Sequence, residues 1–179
     1  MIQTPLFKPQ TEWTPPTEFP DLSKHDEIAI DLETKDPDIK TKGPGWPSKN
    51  GNIIGVSVAT DSFKGYYPIS HEAGSNMDAK MVLNWVQDVC RAPGVKVFHN
   101  AAYDIGWLRA HGIIVYGKVA DTMIAAALID ENRFSYTLNS IVSQYLGEFK
   151  NEATLKKAAA ELGLNPKSEM LVKIVSEIF

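Results

Sequence analysis

Cysteine is nearly absent from this chain. Of 179 residues only Cys90 is a cysteine, so no internal disulfide can form, and its place in a helix-like run suits a buried free thiol. Long apolar runs are missing too. None approaches the roughly 18 residues that cross a bilayer, so no membrane partner is expected. The opening Met1-Ile2-Gln3-Thr4-Pro5 has neither the basic nor the apolar region of a secretory signal. A reducing, cytoplasmic setting is the expectation. Positive charge is in deficit: 18 Lys and Arg against 22 Asp and Glu leave a net charge of −4. That argues against a sequence-indifferent DNA coat, which needs cations to displace counterions. A nuclease stays open, because bound metal ions invert the local field. No Gly-Lys-Ser/Thr ending follows the glycines of 43–51, so that loop is no phosphate cradle. His25, His71 and His111 lack zinc-site spacing, and no Asp occurs after Asp130.

What is present suits one α/β domain. Hydrophobic residues make up 44% of the chain, enough for a single core. Residues 1–26 hold Pro5, Pro9, Pro15, Pro16 and Pro20 and no apolar period, which predicts an extended N-terminal arm pinned by Phe7, Trp13 and Phe19. Strands are predicted at Glu27–Glu33, Ile53–Thr60 and Phe63–Ile69, the last two joined by a tight turn at Asp61-Ser62. A helix over Asp78–Arg91 follows, then a short strand at Val95–Phe98. Next come a helix over Ala101–His111 closed by Gly112, a strand over Ile113–Val119, and a helix capped by Asp121. Thr137–Leu146, Glu152–Leu162 and Ser168–Ile178 read as three more helices. This order gives a mixed sheet whose first three strands form an antiparallel meander.

Chemistry concentrates in two places. Along Glu27–Glu33, side chains alternate, so Ile28, Ile30 and Leu32 face one way while Asp31 and Glu33 share the other face. By itself an Asp-x-Glu pair also fits a solvated strand end. Two carboxylates on one face, however, are what a hard divalent cation needs. Asp104 flanks the stripe Ala101, Ile105, Leu108 in the first turn of its helix, where an acid also suits the helix dipole. Asn100, one turn earlier at the strand-to-helix turn, would line the same cleft. His99 and Asp104 match His-x-x-x-x-Asp, but between two strands this spacing is misplaced for a nuclease motif. Lys150, Lys156, Lys157, Lys167 and Lys173 read as a solvated helix face.

Taken together, Ile30-Asp31-Leu32-Glu33-Thr34, Phe98-His99-Asn100 through Asp104 to Leu108, and Asp121-Thr122-Met123-Ile124 resemble the 3′–5′ exonuclease domain of family A DNA polymerases. Gly43-Pro44-Gly45-Trp46 and Leu128 through Tyr136 look like the bacteriophage branch. The likeness runs from about Glu27 to about Met170. It implies an RNase H-like fold of the DEDD superfamily, a central five-stranded mixed sheet flanked by helices, with extra C-terminal helices. It implies two Mg²⁺ or Mn²⁺ ions, with Asp31 bridging both, Glu33 holding the one that activates water and Asp104 serving the other. Thr34, Asn100 and Tyr103 would contact the terminal nucleotide of a single-stranded DNA 3′ end. A phage-encoded chain would work in the host cytoplasm.

One element of the family pattern is missing. Its third motif, Tyr-x-x-x-Asp, has no match, since Tyr136 is followed four residues later by Ser140 and Tyr145 by Phe149. Residues 27–179 are therefore expected to form an exonuclease-like domain truncated before that motif, with weak activity or none. The alternative is a non-catalytic module of the same fold that binds a DNA end or a polymerase domain on another chain; a third reading is an enzyme whose missing Asp comes from another chain.

Overall fold

A computed structural model describes residues 14–72 and 75–147. Phe7, Trp13, the helices expected over 152–162 and 168–178, and the lysines from Lys150 onward lie outside these residues. The chain forms β1 (Glu27–Lys35), α1 (Ile39–Lys42), a 3₁₀ turn (Trp46–Ser48), β2 (Asn52–Ala59), β3 (Lys64–Pro68) and α2 (Ala79–Arg91). It continues through β4 (Val95–Phe98), α3 (Ala101–Ala110), β5 (Val119–Asp121), α4 (Thr122–Ile129) and α5 (Leu138–Leu146). Five strands order as β3-β2-β1-β4-β5, antiparallel across β3-β2-β1 and parallel across β1-β4-β5. This is the mixed sheet with an antiparallel meander that the sequence predicts.

The core lies on one face of β1. Ile28, Ile30 and Leu32 are buried there with Val82, Val86 and Val89 of α2. The period-2 pattern of the strand meets the 3.6-residue pattern of the helix, and each large side chain so buried stabilises by about 1.5–3 kcal/mol. Asp78 starts α2 by accepting the Met81 N–H at 2.9 Å. Phe19 does pin the segment before β1: its ring stacks on Tyr67 at 5.5 Å, and Tyr67 lies 4.5 Å from Trp85. Trp85 Nε1 donates to the Pro20 carbonyl and the Tyr67 hydroxyl to that of Glu18, so both polar tips are satisfied. Thr60 and Phe63 close the two-residue turn at Asp61-Ser62 through a 2.7 Å main-chain bond.

The strand expected over Ile113–Val119 is not formed; pairing starts only at Val119. The alternation of Ile113 and Val115 has another cause. Ile113 is buried in the core and Val115 packs against it, while Tyr116 N donates to the Cys90 carbonyl near the end of α2. Backbone groups that a strand would pair are thus drawn to a helix terminus, and Gly117, at φ +79°, turns the chain before the ladder begins. The loop over 42–51 also holds more structure than its turn formers suggest, with α1 ending in it and the 3₁₀ turn within it.

That loop is clamped to α3. Trp46 lies flat on the helix at Gly106, where an added Cβ would come within 2.5 Å of the indole. Glycine inside a helix costs about 1 kcal/mol relative to alanine, so the close approach of the ring is what the residue provides. We expect Gly106→Ala to lose a net 1 to 2 kcal/mol, roughly, because overpacking outweighs the propensity gain. Urea denaturation and a red-shifted tryptophan emission check it.

Candidate active site

The site begins at an edge. β4 pairs with β1 only from Glu27↔Val95 to Ala29↔Val97, so β1 runs on past the last pair. The chain leaves β4 through Asn100, whose φ of +67° is a left-handed conformation that asparagine tolerates, and enters α3. One turn into α3, Asp104 Oδ1 accepts the Leu32 N–H at 3.1 Å. Leu32 lies between Asp31 and Glu33, so a single hydrogen bond sets the third carboxylate beside the other two.

Those two share a face, as strand alternation requires. Asp31 is opposite Ser57, Leu32 opposite Val56 and Glu33 opposite Gly55. The register then shifts between Glu33 and Thr34, leaving Ile54 as the extra residue of a β-bulge next to Glu33. Asp104 is 3% exposed and its carboxyl is pushed up to about 7, first by burial and then by the charge of Asp31, with a smaller push from Glu33. The Leu32 N–H pulls the other way and does not prevail.

Sequence reasoning missed three neighbours. Tyr66 is opposite Ser57 on β3, in the same cross-strand row as Asp31. An added Cβ at Gly55 would collide with the Tyr66 hydroxyl, so the phenol lies over the residue that faces Glu33. Burial, then Glu33 and Asp31, raise the ionisation of Tyr66 well above its ordinary value. Its hydroxyl bonds His71 Nε2, and Asn76 clamps the main chain of His71 from both sides. Asp36 is the third: its Oδ2 accepts from the Tyr103 hydroxyl at 3.1 Å and from Gly45 N at 3.0 Å. No short motif marks any of the three.

The remaining expected residues fall close by. Thr34 Oγ1 and the Tyr103 hydroxyl lie 2.7 Å apart, each next in sequence to a candidate ligand. Burial raises the Tyr103 phenol above its ordinary range. Asn100 is exposed, and its main chain is fixed by Asp121, the expected N-cap of α4. Asp121 caps two helices at once, accepting from Ala101 N at 2.8 Å and Asn100 N at 3.1 Å besides Met123 N at 2.9 Å. Burial opposes its charge, but these backbone donors outweigh it and hold the carboxyl below its usual range.

A family described as 3′–5′ exonuclease, that of the A-type DNA polymerases, matches residues 18–173. The chain belongs to that exonuclease family. It is 35% identical over 179 residues to the DNA-directed DNA polymerase of Pseudomonas phage M6, covering 94% of this chain and 27% of the polymerase. It thus spans about a quarter of that relative's length. Among solved structures, Escherichia coli RNase D, an exoribonuclease involved in structured RNA processing, superposes with a TM-score of 0.52 at 18% identity, over 73% of this chain and 30% of RNase D. Brucella melitensis NrnC with bound Mg²⁺ gives 0.50 at 23% identity, over 78% and 68%. The exonuclease fold is RNase H-like.

Exonucleases of this family use divalent metal ions. Asp31, Glu33 and Asp104 fit such an ion in kind: all are hard oxygen donors, and their mutual repulsion is what a cation would relieve. In arrangement they stand apart. Among the described residues no group of three His, Cys, Asp or Glu side chains is gathered tightly enough to hold one.

A raised carboxyl has a stability signature. The folded exonuclease binds the Asp104 proton more tightly than the unfolded chain, so its stability falls as pH climbs from about 4 to about 7 and stays low above that. Asp104→Asn keeps an acceptor for the Leu32 N–H and removes the charge. We expect it to be more stable than the wild type at pH 8 by roughly 2 kcal/mol, with the gap closing near pH 4. Urea denaturation at the two pH values tests this.

Proposed function

We propose that the chain hydrolyses the terminal phosphodiester at a single-stranded DNA 3′ end, slowly in this 179-residue form. One observation carries the reading. Asp104 is buried and bonded into the edge of β1 between Asp31 and Glu33, where its carboxyl titrates near neutral pH. Asp31, Glu33 and Asp104 would hold a divalent cation, Mg²⁺ or Mn²⁺, which when bound supplies a Lewis acid for the phosphoryl oxygen and a more acidic water.

The chain's own residues do the rest. Burial and the charge of Asp31 push the Asp104 carboxyl up to about 7, so a cation competes with a proton there. Thr34 and Tyr103, held together at 2.7 Å, meet the terminal sugar, and exposed Asn100 meets the nucleotide at the mouth. No Asp follows Asp130 in these 179 residues, so the family's third-motif ligand and its tyrosine are not among them. Positioning supplies much of the rate in phosphoryl transfer, which is why the activity is placed low. A polymerase domain is the proposed partner, supported by the phage polymerase whose N-to-C length this chain covers only in part.

The second reading is a module that binds a DNA end without cutting it, favoured by the absence of a gathered three-donor group among the described residues. With 5′-labelled single-stranded DNA and Mn²⁺, the first reading expects shortening from the 3′ end, slowed about a hundredfold or more by Asp31→Ala. Binding without shortening, indifferent to Asp31→Ala, establishes the second instead.

A further inference from the structure

Asp36 carries a role that neither the family motifs nor the reading above assigns. Its Oδ2 is the shared acceptor for the Tyr103 hydroxyl and for Gly45 N, at 3.1 and 3.0 Å. The other oxygen, Oδ1, is buried against Gly45 with no hydrogen-bond partner among the described residues. An ionised carboxylate can only accept, so the Tyr103 proton must point at Asp36. The phenolic oxygen is then left to accept, and the 2.7 Å contact with Thr34 Oγ1 must take its proton from Thr34. Both hydroxyl protons of the pair are therefore committed. What Thr34 and Tyr103 offer to anything beside Glu33 and Asp104 is oxygen lone pairs alone.

We propose that Asp36 is a positioning residue that makes the Thr34–Tyr103 pair an acceptor-only surface, selecting a 3′ end that carries a free hydroxyl over one capped by phosphate. A sugar hydroxyl can donate to such a surface. A phosphate dianion has no proton to give at neutral pH and meets only lone pairs and negative charge. The loop holds this arrangement rigidly: Trp46 sits on Gly106 of α3, and Gly51 approaches the Trp107 ring so closely that an added Cβ would lie 2.8 Å from it. Asp36 and Tyr103, 67 residues apart in sequence, are thus held together by contacts on both sides of their bond.

The inference rests on the chain being a 3′-end nuclease or end binder, and the experiment separates the two. Fluorescence anisotropy in Ca²⁺ compares a 5′-labelled oligothymidylate ending in a 3′ hydroxyl with the same strand ending in a 3′ phosphate. The wild type should prefer the hydroxyl end about tenfold, the worth of one neutral hydrogen bond at the upper end of its range. Asp36→Ala frees the Tyr103 proton and should erase most of that ratio. Asp36→Asn, whose carbonyl can still accept from both Tyr103 and Gly45, should restore it to within about threefold. Tyr103→Phe, which keeps the ring and deletes the oxygen, should lose the ratio too, and it serves if Asp36→Ala does not fold. An unchanged ratio in Asp36→Ala with both affinities falling together overturns the proposal, as does failure of Asp36→Asn to rescue. A wild type that binds both ends equally overturns it alone; one that binds neither overturns the proposed function with it.

Discussion

The hydrogen bond from Leu32 N to Asp104 Oδ1 is the constraint on which this site depends. β1 outruns β4, and a buried strand edge cannot leave its N–H groups without acceptors; each orphan costs about 1–3 kcal/mol. α3 starts where β4 stops, and its Asp104 provides the acceptor. The bond that completes the sheet therefore also delivers the third carboxylate to the strand that carries the other two. Fold and chemistry use the same atom, so the acid has a reason to be buried even with no ion beside it.

Two aspartates in this small domain show what sets the charge. Asp104 and Asp121 are both drawn from solvent, yet their carboxyls shift in opposite directions. Asp121 collects backbone donors from the starts of two helices, and these hold its negative form against the cost of burial. Asp104 has the Leu32 N–H as its donor from β1 and two like charges for company. Donors win at one, desolvation and repulsion at the other. The first arrangement welds helices; the second stores a repulsion that binding a cation would release. Only the second is of use to a nuclease.

Much of this was legible in the sequence, because the informative patterns are local. The alternation through Glu27–Glu33 puts Asp31 and Glu33 on one face by geometry alone, and the spacing from Asn100 to Asp104 marks one turn of a helix. The order of strands and helices gave the meander and the mixed sheet. Local pattern failed where long-range contacts decide. Ile113 and Val115 alternate like a strand, but their side chains are claimed by the core and the Tyr116 N–H that follows by the end of α2. Tyr66 enters the site through the register of β3 against β2 and through the missing side chain at Gly55, neither of which a motif records. Asp36 carries no local signal, and Tyr103 is brought to it from α3.

The loop between β1 and β2 then sets the character of the site as much as the carboxylates do. Three contacts of different kinds tie it to α3: an indole on a glycine, a glycine under an indole, and a carboxylate on a phenol. Any one alone is worth only about 1 to 3 kcal/mol, but displacing the loop means breaking all three together, and such coupled contacts fix a geometry better than their separate energies suggest. Orientation of Tyr103 is thereby decided by the body of the domain, whereas the number of metal donors is decided by how many acids the chain brings to the edge of β1. The first is complete in the described residues and the second is short. On the proposed reading, recognition of a strand end and the rate of cutting it are consequently separate properties, resting on different residues.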